Sequence, residues 1–231
     1  PLCEFSVSDY QKMIRSLIDD FVKDKKIPLI VGGTGLYIDS VIMNYQFLAP
    51  KREEEKYTEL SNEDLHNLLK SLDPAAADSI HMNNRKRVLR AIELANTQDF
   101  KSRTLKNEFY YEPLVIFLND DREVLYERIN KRVDQMINSG LVEEVKSLYP
   151  NKLGKTAQAA IGYKELFKYF DNEISLDEAI EKIKQNSRHY AKRQMTWYRN
   201  KEHTIFVNVN FNNLEETKEE VLRLINEFLK N

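Results

Sequence analysis

The amino-acid sequence predicts an α/β fold, in which a parallel sheet carries helices on both faces and a helical domain is inserted. Two observations predict the sheet: short, continuous apolar runs occur along the chain, and segments with a helical period follow them. A third predicts the insert, because the composition changes abruptly in residues 47–57, "FLAPKREEEKY". We therefore expect an α/β core at residues 1–46 and 109–231 and a helical insert domain at residues 47–108.

The first half of the core begins with a helix and a strand. Ser8 is a suitable cap for a helix from Asp9 to about Asp24. Residues Pro28–Val31 belong to the apolar run "IPLIV", which predicts a buried parallel strand that ends at two glycines. The segment "GLYIDSVIMNY" follows at once and predicts a second helix.

The second half of the core repeats this order. A strand is predicted at Pro113–Leu118. A helix follows it, with Asp120 or Asp121 as its cap, and runs to about Asn138, where Gly140 stops it. A further strand is predicted at Thr204–Val209, and the last helix at Leu214–Leu229. Helical stretches are also predicted at Glu53–Leu105 and Leu141–Lys201, the latter with breaks at Pro150–Gly154 and Asp171–Ser175. Three strands are few for so many helices, and the first residue is Pro1 rather than Met, so we expect the natural protein to contain strands that precede Pro1.

Composition and charge narrow the function classes. The chain has 231 residues with 35 Lys and Arg against 37 Asp and Glu, which excludes a uniformly basic nucleic-acid-binding protein but allows a local basic face. The single cysteine, Cys3, excludes a disulfide scaffold and fits a reducing compartment such as the cytoplasm. No apolar run approaches about 18 residues, so no membrane-spanning helix is expected.

The first candidate site is the motif "VGGTGLY", which ends the first predicted strand. Glycines at this point allow a tight turn and close approach of the backbone to a ligand, and Thr34 lies at the mouth of the turn. The pattern therefore predicts substrate binding by Gly32, Gly33 and Thr34. A tight turn in which Thr34 merely caps the next helix is the alternative, and the spacing does not match a dinucleotide-binding fingerprint.

A second glycine motif, "LGKT" at residues 153–156, does not predict a phosphate-binding loop. A P-loop requires Gly four residues before the Gly-Lys-Thr triplet, and Tyr149 occupies that position. The preceding segment is also helical and polar rather than a buried strand. We therefore interpret Gly154 as a loop residue.

Three further motifs are candidate anion-binding or RNA-binding sites. The segment "NNRKRVLRAIEL" places Lys86, Arg87 and Arg90 within two helical turns, the segment "AAIGYKELFKYF" places Lys164 after a glycine, and "SRHYAKRQMTWYRNK" interleaves cations with aromatic rings. The alternatives are a solvated basic face paired with glutamates, core packing of the IGY segment, and a core position for Trp197. The four histidines are scattered, so no metal site built from protein side chains alone is predicted.

Taken together, these motifs resemble the tRNA dimethylallyltransferases, also called tRNA isopentenyltransferases. The matching stretches are "IPLIVGGTGLYIDSVI", "DPAAADSIHMNNRKRVLRAIEL", "RINKRVDQMINSGLVEEVKSL", "IGYKELFKYF" and "RHYAKRQMTWYRN", and they occur in the family's order. The GGT-x-LY and AKRQ-x-TW-x-R-N elements are the most specific, and the resemblance covers nearly the whole chain.

The resemblance implies a fold and a reaction. The family has a P-loop-NTPase-like parallel sheet with a helical insert, and the sheet is incomplete in this chain. It transfers a dimethylallyl group from dimethylallyl diphosphate to N6 of the adenosine beside the tRNA anticodon, with Mg²⁺ assisting departure of diphosphate. The family's phosphate-binding loop and an Asp proposed as general base lie in an N-terminal unit that this chain lacks. We therefore expect the chain alone to be inactive, and the intact protein to act as a cytoplasmic monomer with no membrane.

Residue roles carry over only where residues match. Thr34 resembles the threonine that lines the reaction channel near N6 and is the candidate catalytic residue. Ala159 departs from the family, in which Gln or Arg is frequent at this position. The tRNA-contacting stretches of the family match Lys86, Arg87 and Arg90, then Ile161, Gly162, Tyr163 and Lys164, and finally Arg188, Lys192 and Arg193.

Three other functions stay open on the sequence alone. The same motifs suit an adenylate isopentenyltransferase that uses free nucleotides, although the two basic clusters favour a large polyanion such as a tRNA anticodon stem–loop. An α/β core with a helical insert also suits a P-loop kinase of small molecules or nucleotides. A non-catalytic RNA-binding module would share the basic clusters without transferring a prenyl group.

Overall fold

The computed structural model describes residues 5–47, 57–96, 108–150 and 153–230. These residues fold into two compact units, one formed by residues 1–38 and 112–231 and the other by residues 39–111. The predicted boundaries at residues 46/47 and 108/109 stay a prediction, because much of segments 47–57 and 103–111 lies outside the described residues. The helices are α1 Val7–Lys23, α2 Gly35–Ile42, α3 Asn62–Leu72, α4 Pro74–Ser79, α5 Arg85–Ala95, α6 Arg122–Asn138, α7 Leu141–Leu148, α8 Lys155–Gln158, α9 Tyr163–Phe170, α10 Leu176–Arg199 and α11 Leu214–Phe228.

The first unit contains a small parallel sheet. Strand β1, Val115–Asn119, pairs with β2, Thr204–Asn208, in a register that places Val115 beside Thr204. Both strands were predicted, and their parallel pairing makes the fold the mixed α/β type that strand–helix–strand order indicates. The ring of Phe117 on β1 packs against Tyr198 of α10 at 5.0 Å and against Phe206 of β2 at 5.1 Å between ring centres.

The prediction of a buried strand at Pro28–Val31 is wrong for the described structure. This segment forms no strand, and Leu29 and Val31 are 83% and 88% exposed. A backbone segment becomes a strand only when its N–H and C=O groups pair with a neighbouring strand. Among the residues that the structure describes, β1 and β2 pair only with each other, so the segment lacks a partner.

The cap of helix α1 also differs from its prediction. Ser6, not Ser8, is the N-cap, and its hydroxyl accepts a hydrogen bond from the backbone N–H of Asp9 at 3.2 Å. The Asp9 carboxylate in turn accepts from the backbone N–H of Ser6, which completes a capping box. The correct cap is the serine three residues before the acidic residue, whereas Ser8 lies only one residue before it.

Helix packing forms the core of the first unit. Its buried side chains come from α6, α7, α9 and α10, and the helix ends at the predicted breaks are confirmed by Gly140, which has φ of +99°, and by Ser175, which caps α10. Gly140 is the N-cap of α7 and Ser175 is the N-cap of α10, positions that glycine and serine favour. The core residues are Val133, Leu141, Val145, Leu166, Ala179 and Ile183.

The second unit has its own helical core. Helices α3, α4 and α5 bury Leu65, Leu69, Val88 and Ile92 to 1% exposure or less. The apolar positions predicted in "NNRKRVLRAIEL" therefore face inward, as helical spacing requires. No helix in the described part of the chain is both long enough and apolar enough to cross a membrane.

Candidate functional site

The glycine motif that precedes α2 forms one wall of a small cavity. The cavity has a volume of about 190 Å³ and is lined by Tyr10, Gly32, Gly33, Thr34, Tyr37 and Ile38. The carbonyl oxygen of Thr34 accepts the first backbone hydrogen bonds of α2, from the N–H groups of Tyr37 and Ile38. Thr34 therefore lies at the start of the helix and beside the cavity, where both of its predicted roles are geometrically compatible.

The far side of the glycine motif packs tightly on helix α10. A β-carbon built on Gly33 would lie 2.0 Å from Nε2 of Gln194, and one built on Gly35 would lie 2.3 Å from Cδ1 of Trp197. Both distances are far below van der Waals contact, so a side chain at Gly35 would collide with the indole ring, whereas one at Gly33 would have to displace the flexible amide of Gln194. The two partners are three residues apart and share one face of the helix.

The hydroxyl of Thr34 meets a third side chain on that face. Its Oγ1 lies 2.7 Å from the phenolic oxygen of Tyr190, which is four residues before Gln194. Tyr190, Gln194 and Trp197 thus form a seat for residues 33–35, with helical spacing of four and three. The hydrogen bond joins the candidate catalytic threonine to helix α10, which carries Arg188, Lys192 and Arg193.

Two tyrosines line the cavity opposite this seat. The rings of Tyr10 on α1 and Tyr37 on α2 meet edge to face, with 4.8 Å between ring centres. Burial, and secondarily the neighbouring Tyr37, raise the pKa of Tyr10. Tyr10 is therefore a neutral phenol at physiological pH, so its side of the cavity adds no charge.

The cations of α10 divide into free and bonded groups. Lys192 and Arg193 are exposed, and the guanidinium of Arg193 lies 5.6 Å from the centre of the Tyr190 ring. Arg188 is partly buried and donates a hydrogen bond of 2.6 Å to Oδ1 of Asn130 on α6. Lys192 and Arg193 are therefore the two of these three predicted residues whose charge faces water.

The predicted segment Ile161–Lys164 is held in place by a buried carboxylate. Glu165 is 3% exposed and accepts hydrogen bonds from the backbone N–H of Gly162 at 2.7 Å and from Nδ2 of Asn186 on α10 at 2.6 Å. Gly162 has φ of +101°, a conformation that favours glycine. The exposed Lys164 thus starts from a rigid turn fixed to α10.

Tyr163 in the same segment uses its hydroxyl within the protein. It donates a hydrogen bond to the Glu144 carboxylate on α7. This hydrogen bond, with burial second, raises the pKa of Tyr163. The side chain therefore stays protonated and joins α7 to α9, which leaves its ring rather than its hydroxyl as a surface for contact.

The cluster on α5 also separates into two kinds of residue. Lys86 and Arg87 are exposed, whereas Arg90 forms an ion pair of 2.9 Å with Glu93, whose side chain is 6% exposed. Arg85 donates to the carbonyl oxygens of Tyr57 and Leu60 and so stabilises the second unit. The pairing with glutamate that the sequence left open applies to Arg90.

Sequence reasoning did not assign a role to several residues that build this site. Gln194, Glu165 and Asn186 went unnoticed, and Tyr190 was counted only as an aromatic ring among cations. For Tyr190 and Gln194, the one signal in the sequence is the helical spacing of residues 190, 194 and 197. In the ranges that the structure covers, no group of three or more His, Cys, Asp or Glu side chains is arranged to hold a metal ion.

Comparisons with known proteins agree on one family. A family model described as IPP transferase matches residues 1–201. A tRNA dimethylallyltransferase from Anoxybacillus flavithermus is 50% identical over 205 residues, which are 85% of this chain and 66% of that protein. The chain therefore spans about two thirds of the length of this relative.

Solved structures give the same result. A tRNA isopentenylpyrophosphate transferase from Staphylococcus epidermidis has 39% identity and a TM-score of 0.67, over 98% of this chain and 78% of that one. A eukaryotic dimethylallyltransferase acting on tRNA has 24% identity and a TM-score of 0.82, over 99% of this chain and 63% of that one, and supports the fold. By its sequence and its fold, the chain belongs to the IPP transferase family, together with the tRNA dimethylallyltransferases.

Proposed function

We propose that the protein containing this chain transfers a dimethylallyl group from dimethylallyl diphosphate to N6 of adenosine 37, beside the anticodon of tRNA. The observation that carries the proposal is the Thr34 hydroxyl, which lies beside a cavity and is bonded to the helix that carries Lys192 and Arg193. This geometry brings a polar group suited to an amine next to cations suited to an RNA backbone. The proposed core is P-loop-like, with residues of the second unit as its helical insert.

The chemistry assigns Thr34 a specific role. The lone pair of N6 forms a bond to the allylic carbon, the bond from that carbon to the diphosphate oxygen breaks, and N6 then gives up a proton to the aspartate general base that the family resemblance implies. As the new bond forms, positive charge develops on N6, and its N–H becomes a stronger donor. Thr34 Oγ1 accepts this hydrogen bond and stabilises the charge, because a fixed acceptor needs no reorganisation at that moment.

Access to N6 requires that the adenine leave the stack of the anticodon loop, as other base-modifying enzymes require of their targets. The exposed cations Lys86, Arg87, Lys192 and Arg193 are proposed to bind the RNA backbone, together with Lys164, which is exposed but also pairs with Glu165 at 3.4 Å, while Arg90 and Arg188 keep their protein partners. The turn Ile161–Lys164 supplies backbone and ring contacts. Binding that depends on several cations weakens steeply with salt.

Departure of diphosphate needs cationic neutralisation, and we propose Mg²⁺ as the ion that accompanies it. A magnesium ion would supply charge stabilisation to the leaving oxygen. The described side chains offer no group of three acidic or imidazole ligands, so we assign no ligand and no reaction step to the ion. The proposed setting is the cytoplasm, and the proposed state is a monomer.

The experiment measures transfer of labelled dimethylallyl to an anticodon stem–loop by the full-length protein. Thr34→Ala is expected to lower kcat about tenfold or more, which corresponds to about 1.4 kcal/mol of transition-state stabilisation. The matched control is Thr196→Ala, since the Thr196 hydroxyl bonds only the Lys192 carbonyl of its own helix at 3.0 Å. Normal turnover by Thr34→Ala would remove Thr34 from the reaction.

A competition assay separates the two prenyl-transfer substrates. The full-length protein is given equal concentrations of the stem–loop and of AMP as acceptors. Modification of the stem–loop alone is expected, because exposed cations on α5 and α10 favour a polyanion. Modification of AMP alone would replace tRNA by a free nucleotide as the substrate.

A further inference from the structure

Tyr190 is the one described side chain for which the structure records a hydrogen bond to the Thr34 hydroxyl. The two oxygens are 2.7 Å apart, although the residues are 156 positions apart in the chain. The tyrosine ring is partly buried on α10, next to the Arg193 guanidinium. Two residues on the same helix face, Gln194 and Trp197, lie close to Gly33 and Gly35, the glycines at either side of Thr34.

We propose that Tyr190 is a positioning residue that accepts the Thr34 hydroxyl proton in a hydrogen bond and thereby turns the Thr34 lone pairs toward the cavity. This inference rests on the proposed function, in which the adenine amino group lies in front of Thr34. Tyr190 touches neither the adenine nor the isoprenoid donor. It acts only by fixing the orientation of one hydroxyl group.

The donors and acceptors around Thr34 determine which way its hydroxyl proton points. A threonine hydroxyl has one proton and two lone pairs, and it rotates to suit its partners. In the proposed reaction, an N–H group of N6 donates a hydrogen bond to the Thr34 oxygen. The proton of the Thr34 hydroxyl must then point elsewhere, toward another acceptor. Tyr190, which is not among the described residues that line the cavity, provides that second acceptor.

No proton passes to Tyr190 in this scheme. The phenol has an ordinary hydroxyl that donates its own hydrogen to water or to another group while it accepts from Thr34. Its contribution is preorganisation, since a hydroxyl already turned toward N6 does not have to reorient as charge develops. Loss of this contribution lowers the rate of the chemical step and leaves RNA affinity unchanged.

The test is Tyr190→Phe in the full-length protein, which removes the phenolic oxygen and keeps the ring that lies beside the Arg193 guanidinium. We expect kcat for prenyl transfer to fall about tenfold, with the Kd for the stem–loop unchanged. Tyr149→Phe is the matched control, because it removes a hydroxyl bonded to Asp171 and is expected to leave kcat as it is. Since the ring is retained, a loss of folding is not expected, and the melting temperature checks it.

A double-mutant cycle separates positioning from a general structural effect. In the Thr34→Ala background, Tyr190→Phe is expected to cost nothing further in single-turnover rate, because the hydroxyl on which it acts is absent. An equal loss in both backgrounds, an unchanged kcat of Tyr190→Phe, or a weaker Kd as its sole effect would each overturn the inference.

A second readout does not depend on activity. Three-bond couplings of the Thr34 methyl carbon report the χ1 rotamer, and Tyr190→Phe is expected to change a single rotamer into an average of several. A single, unchanged rotamer would contradict the positioning role. If the wild-type protein transfers no prenyl group, the proposed function fails, whereas transfer with an uncoupled Tyr190 refutes this inference alone.

Discussion

Three glycines in four residues have three different surroundings, although the sequence presents them as one motif. A β-carbon on Gly32 would lie 3.9 Å from Cδ1 of Ile38, which is ordinary contact. On Gly33 it would collide with the flexible end of Gln194, and on Gly35 with the rigid indole ring of Trp197. The requirement for glycine therefore increases from the first to the last position.

This order predicts the stability of three alanine variants. Gly35→Ala is expected to cost about 1–3 kcal/mol, since the indole ring must move or the helix must shift. Gly33→Ala is expected to cost under about 1 kcal/mol because the Gln194 amide can rotate away, and Gly32→Ala is expected to stay within about 0.5 kcal/mol. Urea denaturation of the full-length protein measures all three.

Gly32→Ala serves as the internal control of this series, since it adds the same methyl group to the same loop. An equal loss of stability in the Gly32 and Gly35 variants would show that backbone conformation, not contact with α10, determines the need for glycine. It would also weaken the assignment of Tyr190, Gln194 and Trp197 as the seat of the loop.

At the scale of elements, helix α10 connects several parts of the site. Its N-terminal half holds the turn before α9 through Asn186 and Glu165, and its C-terminal half seats the glycine motif. The period of apolar and charged residues was sufficient to predict this helix and its cations. Its contacts were not predictable, because residues 34 and 190 are joined by the fold and not by any local pattern.

Strands were harder to predict than helices, for a related reason. A helix completes its hydrogen bonds within one segment, so local spacing is informative. A strand completes them with another segment, and "IPLIV" forms no strand because none of the described residues pairs with it. The apolar runs at 113–118 and 204–209 form strands because they pair with each other through backbone hydrogen bonds.

The junction of α9 and α10 gives a prediction at this scale. Glu165→Gln is expected to destabilise the protein by about 1–3 kcal/mol, because the buried carboxylate accepts from Gly162 and Asn186 and pairs with Lys164 at 3.4 Å, whereas a glutamine amide is neutral and offers one acceptor and one donor group. Asn186→Asp added to Glu165→Gln is expected to recover most of the loss, since the new carboxylate accepts from the glutamine amide. Chemical denaturation measures both variants.

Glu173→Gln is the matched control for this junction. Its carboxylate is 57% exposed and lies 3.5 Å from Lys168, so its neutralisation is expected to change stability by less than about 0.5 kcal/mol. A Glu165→Gln variant as stable as this control would show that the carboxylate contributes no net stability. A double variant with no recovery would show that the two side chains do not act as a pair.

At the scale of the whole molecule, a net charge of −2 conceals an uneven distribution. Acidic residues occur throughout the chain, whereas the exposed cations that are proposed to bind RNA cluster on α5 in the second unit and on α9 and α10 in the first unit. Total charge therefore determines solubility and excludes a generally basic coat, whereas local clusters determine which polyanion binds. The sequence predicted both clusters but could not show which cations have protein partners.

The salt dependence of RNA binding tests that distinction on the intact protein. The logarithm of stem–loop affinity is expected to fall linearly with the logarithm of salt concentration, and Lys86→Gln and Arg87→Gln are each expected to reduce the slope by about 0.7–1. Arg85→Gln, on the same helix, is the control: it removes hydrogen bonds to Tyr57 and Leu60, so stability falls while the slope stays. An unchanged slope for Arg87→Gln, or a reduced slope for Arg85→Gln, would show that exposure in the structure does not identify the RNA contacts.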